Sequence, residues 1–79
     1  LNKLNNMNAE VLEFLVSADS KVVNKKIKDI KFPRSAIIGG VIRNDKGSIA
    51  LVDFLIQEGD KILVCSLYET INKVEKLFL

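Results

Sequence analysis

Between Ser35 and Arg43 the chain reads Ala36-Ile37-Ile38-Gly39-Gly40-Val41-Ile42, seven residues without a polar side chain and its longest apolar stretch. A membrane-spanning helix needs about 20 apolar residues, so this run is far too short to cross a bilayer. An uninterrupted apolar run of this length, bounded by turn residues, reads as an interior strand with an apolar neighbour on each face. The chain must therefore build a sheet around it. Gly39 and Gly40 mark either a bulge or a place where another backbone or a ligand approaches closely.

The flanking elements follow from periodicity. In Glu10 to Val16, Leu12, Phe14 and Val16 share one face and Val11, Glu13 and Leu15 the other, the period of a strand. Ser17-Ala18-Asp19-Ser20 offers acceptors for the free amides of a helix start, and Val23, Ile27 and Ile30 recur at helical spacing. A helix is expected there, ending before Pro33, which disfavours helical geometry at Phe32. Asn44-Asp45-Lys46-Gly47 has turn chemistry, and Ser48 to Val52 completes a hairpin with the apolar strand. Glu58-Gly59-Asp60 is a tight turn before the strand Lys61 to Cys65. Ser66-Leu67-Tyr68-Glu69 fits a capping box, and Ile71, Val74, Leu77 and Phe78 form the stripe of a closing helix. The expected class is α+β: strand, helix, strand, strand, strand, helix, a small mixed or antiparallel sheet with two helices on one face.

At 79 residues, with 48% hydrophobic and 28% charged side chains, this is globular material for one thin core. Domains of this size commonly need a disulfide, a metal or a partner. One cysteine, Cys65, and no histidine rule out an internal disulfide and a His/Cys metal cage. A neighbouring chain, or the rest of a larger protein, is the remaining support. The same lack of histidine leaves Cys65 and the serines without their usual activating base, so no catalytic residues are assigned. Cys65 is expected to be an inert core thiol. Asp53, Glu58 and Asp60 match no cation-binding loop and read as turn chemistry, so no metal ligands are assigned. Residues 1–8 are asparagine-rich and lack the apolar core of a signal peptide, which suggests a linker from a preceding domain, with residues 9–79 as the folded unit. A first residue other than methionine fits a piece of a longer polypeptide, and the whole is read as cytoplasmic.

Three ordered segments carry a family likeness. They are Ala36-Ile37-Ile38-Gly39-Gly40-Val41-Ile42-Arg43, Glu58-Gly59-Asp60-Lys61-Ile62-Leu63-Val64 and Lys73-Val74-Glu75-Lys76-Leu77-Phe78. Together they resemble the C-terminal domain of Trk-type potassium-uptake regulatory proteins, the RCK C-lobe, over about Glu10 to Phe78. Asn24 stands where that family commonly has a glycine, and asparagine tolerates the left-handed backbone a glycine would supply. The resemblance implies a regulatory, dimerising lobe that gates a membrane potassium channel or transporter subunit from the cytoplasmic side of the inner membrane. It also implies an upstream Rossmann domain that binds NAD or another nucleotide. No G-x-G-x-x-G occurs here, so that cofactor is not assigned to this chain.

The charge distribution leaves one open question. Lys21 to Arg34 holds six basic residues against Asp29 alone, a local +5 in a chain of net +2, so the remainder carries −3. The plainest reading is a solvated lysine face. The resemblance implies another, since in some relatives a cyclic dinucleotide sits between two lobes beside the segment that here runs from Ile30 to Ser35. Ile30, Lys31, Arg34 and Ser35 are then the candidate effector residues, with Arg34 suited to clamping a phosphate. Ile37, Ile38, Gly39 and Gly40 are the candidate dimer contacts, or else simple core and bulge. A nucleic-acid-binding module using Lys21 to Arg34 is the competing function. It has only Phe32 as an interleaved aromatic and no recognition motif, so nucleic acid is not the expected partner.

Overall fold

The computed structural model describes residues 8–79, so the linker reading of residues 1–8 lies, Asn8 aside, outside the described residues. Four strands form one antiparallel sheet: β1 (Ala9–Leu15), β2 (Ala36–Arg43), β3 (Lys46–Ile49) and β4 (Lys61–Leu67), in the order β1-β4-β2-β3. Among the described residues a single α-helix, α1 (Ile71–Phe78), follows β4 through a 3-10 turn, Tyr68–Thr70. The α+β class and the antiparallel sheet are as the periodicity requires.

The alternation of β1 places Leu12 opposite Val64 and Phe14 opposite Ile62, and the same row continues across β4 to Ile38 and Val41 of β2. Ile38 and Val41 are three residues apart and in a regular strand would point to opposite faces. A bulge between Ile38 and Gly40 absorbs the extra residue, so Ile38 pairs with Val64 and Val41 with Ile62, two positions apart on one face. The bulge that Gly39-Gly40 suggested is realised. Val16, Val22, Val41, Ile56, Ile62, Val64, Val74 and Phe78 form the buried core against this face. Phe78 of α1 stacks on Phe14 of β1 with ring centroids 4.4 Å apart, which docks the helix across the sheet.

The β2–β3 hairpin turns on Asn44 and Asp45, both left-handed (φ 52 and 62), as a two-residue turn with two positive φ values demands. Gly59 (φ 90) supplies the bend before β4. Strand β3 begins two residues earlier than the composition suggested, because Arg43 pairs with Lys46 directly across the turn.

Two expectations need correction. The helix expected from Val23 to Ile30 is absent, and the segment is a series of turns with one 3-10 turn, Ile27–Asp29. Its apolar residues do reach the core, Val22 buried and Val23, Ile27 and Ile30 packed against it. The backbone takes other partners: Asn24, Ile27 and Lys28 donate to the carbonyls of Ile56, Phe54 and Val52, and Lys25 accepts from Ile56. Those long-range bonds replace the i→i−4 bonds of a helix, and Asn24, left-handed at φ 63, breaks the helical path. Ser66 does not cap a helix either. Strand β4 runs on to Leu67, Ser66 pairs with both Glu10 and Ala36, and its buried hydroxyl donates to the Leu67 carbonyl at 2.9 Å. Pairing on both sides of β4 outweighs a local cap, and the helix starts four residues later.

Candidate functional site

Three features of the surface and its supports have functional potential. The first is the clamp that joins two of the segments singled out in the sequence. Asp60, 2% exposed in its side chain, accepts from Arg43 Nε and Nη2 at 2.7 Å each and from the Gln57 backbone N–H at 2.8 Å. The same Nη2 donates to the Leu55 carbonyl at 2.9 Å, and the guanidinium lies over the Phe54 ring, 4.6 Å from its centroid. The Arg43 hydrogen bonds hold the Asp60 carboxyl below the usual carboxylate range; burial opposes this shift and the Gln57 N–H reinforces it. The end of β2, the start of β4 and the strap of residues 54–57 are thereby tied together. Every partner is internal, so the clamp is a support for the fold. Of the other carboxylates weighed above, Asp53 pairs on the surface with Lys28 at 3.1 Å. Among the described residues no group of three or more His, Cys, Asp or Glu is placed to hold a metal ion.

The second feature is a depression of about 420 Å³ between the lead-in to β2 and helix α1, lined by Lys31, Phe32, Pro33, Arg34 and Ser35 on one side and Thr70, Lys73 and Leu77 on the other. Its lining holds three cations and no carboxylate. The Thr70 hydroxyl on its wall lies 2.8 Å from Ser66 Oγ, 3.1 Å from the Leu67 carbonyl and 3.3 Å from the Ser35 carbonyl, and its one proton serves one of these acceptors at a time. The Ser35 carbonyl also accepts the Leu67 N–H at 2.9 Å, which fixes the floor to β4. Lys31, Arg34 and Ser35 of the four candidate effector residues meet here. Ile30 does not; it packs against the core and lines two neighbouring depressions. Thr70 and Lys73 were not among the sequence candidates, because nothing local in Tyr68 to Lys73 signals a neighbour some 35 residues upstream.

The third feature is the sheet face opposite the core. Val11, Cys65 and Ile37 form one row across it, with Leu15, Leu63 and Ile49 on the same face. Val11 is 57% exposed, Leu15 65%, Ile37 65% and Ile49 75%. Strand β2 thus has the composition of a strand covered twice, but the described residues leave Ile37 open. Of the four candidate dimer contacts, Ile37 and Gly39 are exposed. Ile38 packs against the core, and Gly40 is buried beneath Ser48 and Leu63, where an added Cβ would meet the Ser48 carbonyl at 3.3 Å. Cys65, expected in the core, instead sits half-buried on this second face, because its register partners are Val11 and Ile37.

Residues 11–79 match the model of the TrkA-C domain. The chain belongs to the TrkA-C domain family. It is 40% identical over 70 residues to the Trk system potassium uptake protein TrkA homolog 2 of Methanosarcina mazei, a match covering 89% of this chain and 16% of that protein. It is 32% identical over 74 residues to the Trk system potassium uptake protein TrkA of Haemophilus influenzae, again 89% of this chain and 16% of that one. The TrkA-C chain therefore spans about one sixth of the length of these relatives. A solved structure described as "Structure of RCK domain with cda" superposes with a TM-score of 0.72 over 87% of this chain and 97% of that chain, at 18% identity. That likeness establishes the shared fold. Among the described residues no helix is long and apolar enough to cross a membrane.

Proposed function

We propose that this TrkA-C domain is a ligand-sensing, dimerising regulatory lobe of a potassium-uptake system. In this reading it acts from the cytoplasmic side on a membrane channel or transporter subunit, within a polypeptide whose other part includes a nucleotide-binding Rossmann domain. The lobe works through contact instead of catalysis: a ligand favours one arrangement of two lobes over another through its differential affinity for the two.

One observation carries the reading beyond the names of the relatives. The sheet face bearing Val11, Leu15, Ile37 and Ile49 is exposed and mainly apolar, crossed by the Glu13–Lys61 ion pair, on a domain with little core of its own. Soluble monomers rarely keep a broad contiguous apolar face open to water, and such a face marks an interaction surface. A second copy meeting the first across this face would give β2 the second cover its sequence calls for.

Sedimentation equilibrium of the chain at micromolar concentration tests the contact. Dimer is expected for the parent chain and monomer for Ile37→Glu, which places a charge in the Val11–Cys65–Ile37 row of the face, with unchanged far-ultraviolet circular dichroism. A parent chain that stays monomeric up to millimolar concentration would refute self-association.

A further inference from the structure

We propose that the ribbon formed by residues 24–28 and 51–56 is a docking element for the surface of an anionic phospholipid bilayer, with Leu51 and Val52 entering the headgroup layer and the surrounding lysines meeting the lipid phosphates. The proposal goes beyond the regulatory reading and does not rest on it, because lipid binding is a property of the chain whatever system it serves.

The ribbon's backbone is fixed. Hydrogen bonds of 2.8 to 3.0 Å join Asn24 and Lys25 to Ile56, Ile27 to Phe54 and Lys28 to Val52, and Lys26 stands directly opposite Leu55. Opposite residues of an antiparallel pair carry their side chains on one face, so Lys26 leaves the ribbon beside Leu55. The tip is a tight turn, closed by the Phe54 N–H on the Leu51 carbonyl at 2.9 Å. Next to it Ile56 is fully buried, and Phe54 packs against the core beneath Arg43, which holds the tip in place.

What the tip carries departs from ordinary turn chemistry. Turns favour glycine, proline, asparagine, aspartate and serine, yet Leu51 is 67% and Val52 64% exposed here. At that exposure they contribute little to the fold and leave apolar area for a partner. Charge then selects the partner. Residues 21–28 hold four lysines and no acid, and residues 51–56 add one acid, Asp53, which pairs with Lys28 at 3.1 Å, so the two segments carry net +3. A second copy would bring the same lysines against these, and like charges would oppose the contact. A nucleic acid would find phosphate partners but no stacking platform, since the one aromatic of these segments, Phe54, is taken by the core and Arg43. Aliphatic side chains at the tip with lysines around them match the layers of an anionic leaflet, phosphates outside and acyl chains beneath.

The strength follows from these parts. Each lysine held near an anionic leaflet strengthens partition about fivefold, equivalent to about 1 kcal/mol. Leu51 at the level of the acyl boundary adds a comparable factor. Together they give a reversible contact, one that salt weakens because the attraction acts within a Debye length of about 8–10 Å.

The test is co-sedimentation of the 79-residue chain with vesicles of phosphatidylcholine and phosphatidylserine at about 7:3, against vesicles of phosphatidylcholine alone. Binding to the anionic vesicles only is expected, weakening at least about tenfold as salt rises from about 0.1 M to about 0.5 M. Lys26→Gln and Leu51→Ser should each weaken it about fivefold, whereas Lys73→Gln in α1 should change it less than about twofold. Lys26 and Leu51 are both exposed, and unchanged far-ultraviolet circular dichroism reports that each variant folds. A spin-labelled lipid in small bicelles of the same composition needs no substitution: the amides of residues 26, 51, 52 and 55 of the parent chain should broaden first. No binding at millimolar lipid, equal binding to both vesicle types, equal losses for Lys26→Gln and Lys73→Gln, or a Leu51→Ser variant that binds like the parent would overturn the assignment. So would tighter binding of a single-stranded oligonucleotide to the same residues, which would make this a nucleic-acid surface.

Discussion

Replacing Asp60 by Asn should remove much of this domain's stability while leaving its outline intact. The carboxylate receives three hydrogen bonds, two of them from Arg43 at 2.7 Å, and its side chain is 2% exposed. Removing one partner of a buried ion pair costs about 3–5 kcal/mol when the remaining charge stays buried. Arg43 is 37% exposed in its side chain, so its guanidinium can regain water, and the Asn carbonyl can still accept from Gln57. The cost then falls toward the range for hydrogen bonds to charged groups, about 2–3 kcal/mol here. A small single core supplies only about 3–5 kcal/mol in total, so the variant would be marginal. Urea unfolding followed by far-ultraviolet circular dichroism measures the loss. With a slope of about 1 kcal/mol per molar urea, the midpoint drops by about 2–3 M. The double variant with Arg43→Met should lose less than the two single losses combined, since it leaves no orphaned charge. An unfolding free energy for Asp60→Asn within about 0.5 kcal/mol of the parent would place the substitution among ordinary surface changes and refute the clamp.

The same clamp sets an acid dependence. The folded Asp60 carboxyl lies below its unfolded value of about 3.9, so its contribution is fully present above that pH and is lost as pH falls through the lower folded value. Acid titration of the parent should show this loss, and Asp60→Asn should flatten it; matching acid profiles for the two would contradict the assignment. The two glycines of β2 should respond with opposite sign. Gly40→Ala puts a Cβ 3.3 Å from the Ser48 carbonyl, held in the β2–β3 pairing, and should cost about 1 kcal/mol in thermal unfolding. Gly39→Ala meets nothing within 4 Å and should be neutral or stabilising by about 0.5 kcal/mol, through reduced freedom of the unfolded chain. Equal losses at the two positions would contradict the bulge geometry.

What could be read in advance was what short-range chemistry decides. The alternation in β1, the Asn44-Asp45 turn, the Gly59 bend and the Ile71-Val74-Leu77-Phe78 stripe each depend on a few adjacent residues, and all are realised. The tolerance of Asn24 for left-handed geometry is also realised, and its consequence reaches further than expected: the turn there lets residues 24–28 pair with 52–56. That pairing has no local signature. Val23, Ile27 and Ile30 reach the core from turns as readily as from a helix, because a recurring apolar residue reports burial more securely than it reports backbone shape. Ser66 failed as a cap for the same reason, since partners on both sides of β4 came from 30 and more residues away.

The candidate sites divide along the same line. Lys31, Arg34 and Ser35 lie on one short segment to which the family resemblance pointed, while Thr70 and Lys73 join them only once α1 is folded over. The residues Ile37 to Gly40 were grouped for association, but the pleat and the bulge send Ile38 to the core and cover Gly40, leaving Ile37 and Gly39 at the surface. Asp60 and Arg43 stood in two of the segments that carried the family likeness, and the clamp gives a physical reason for having both.

Rubidium uptake in cells tests the regulatory reading most directly. The TrkA protein of Haemophilus influenzae, 32% identical to this chain over their shared 74 residues, would carry residues 9–79 in place of its own matching segment, in a strain that depends on it for potassium. Uptake well above that of a strain whose protein lacks the segment is predicted, falling back toward that level when the graft carries Ile37→Glu. A stably expressed, folded graft that supports no more uptake than the deletion would contradict a regulatory role in potassium transport.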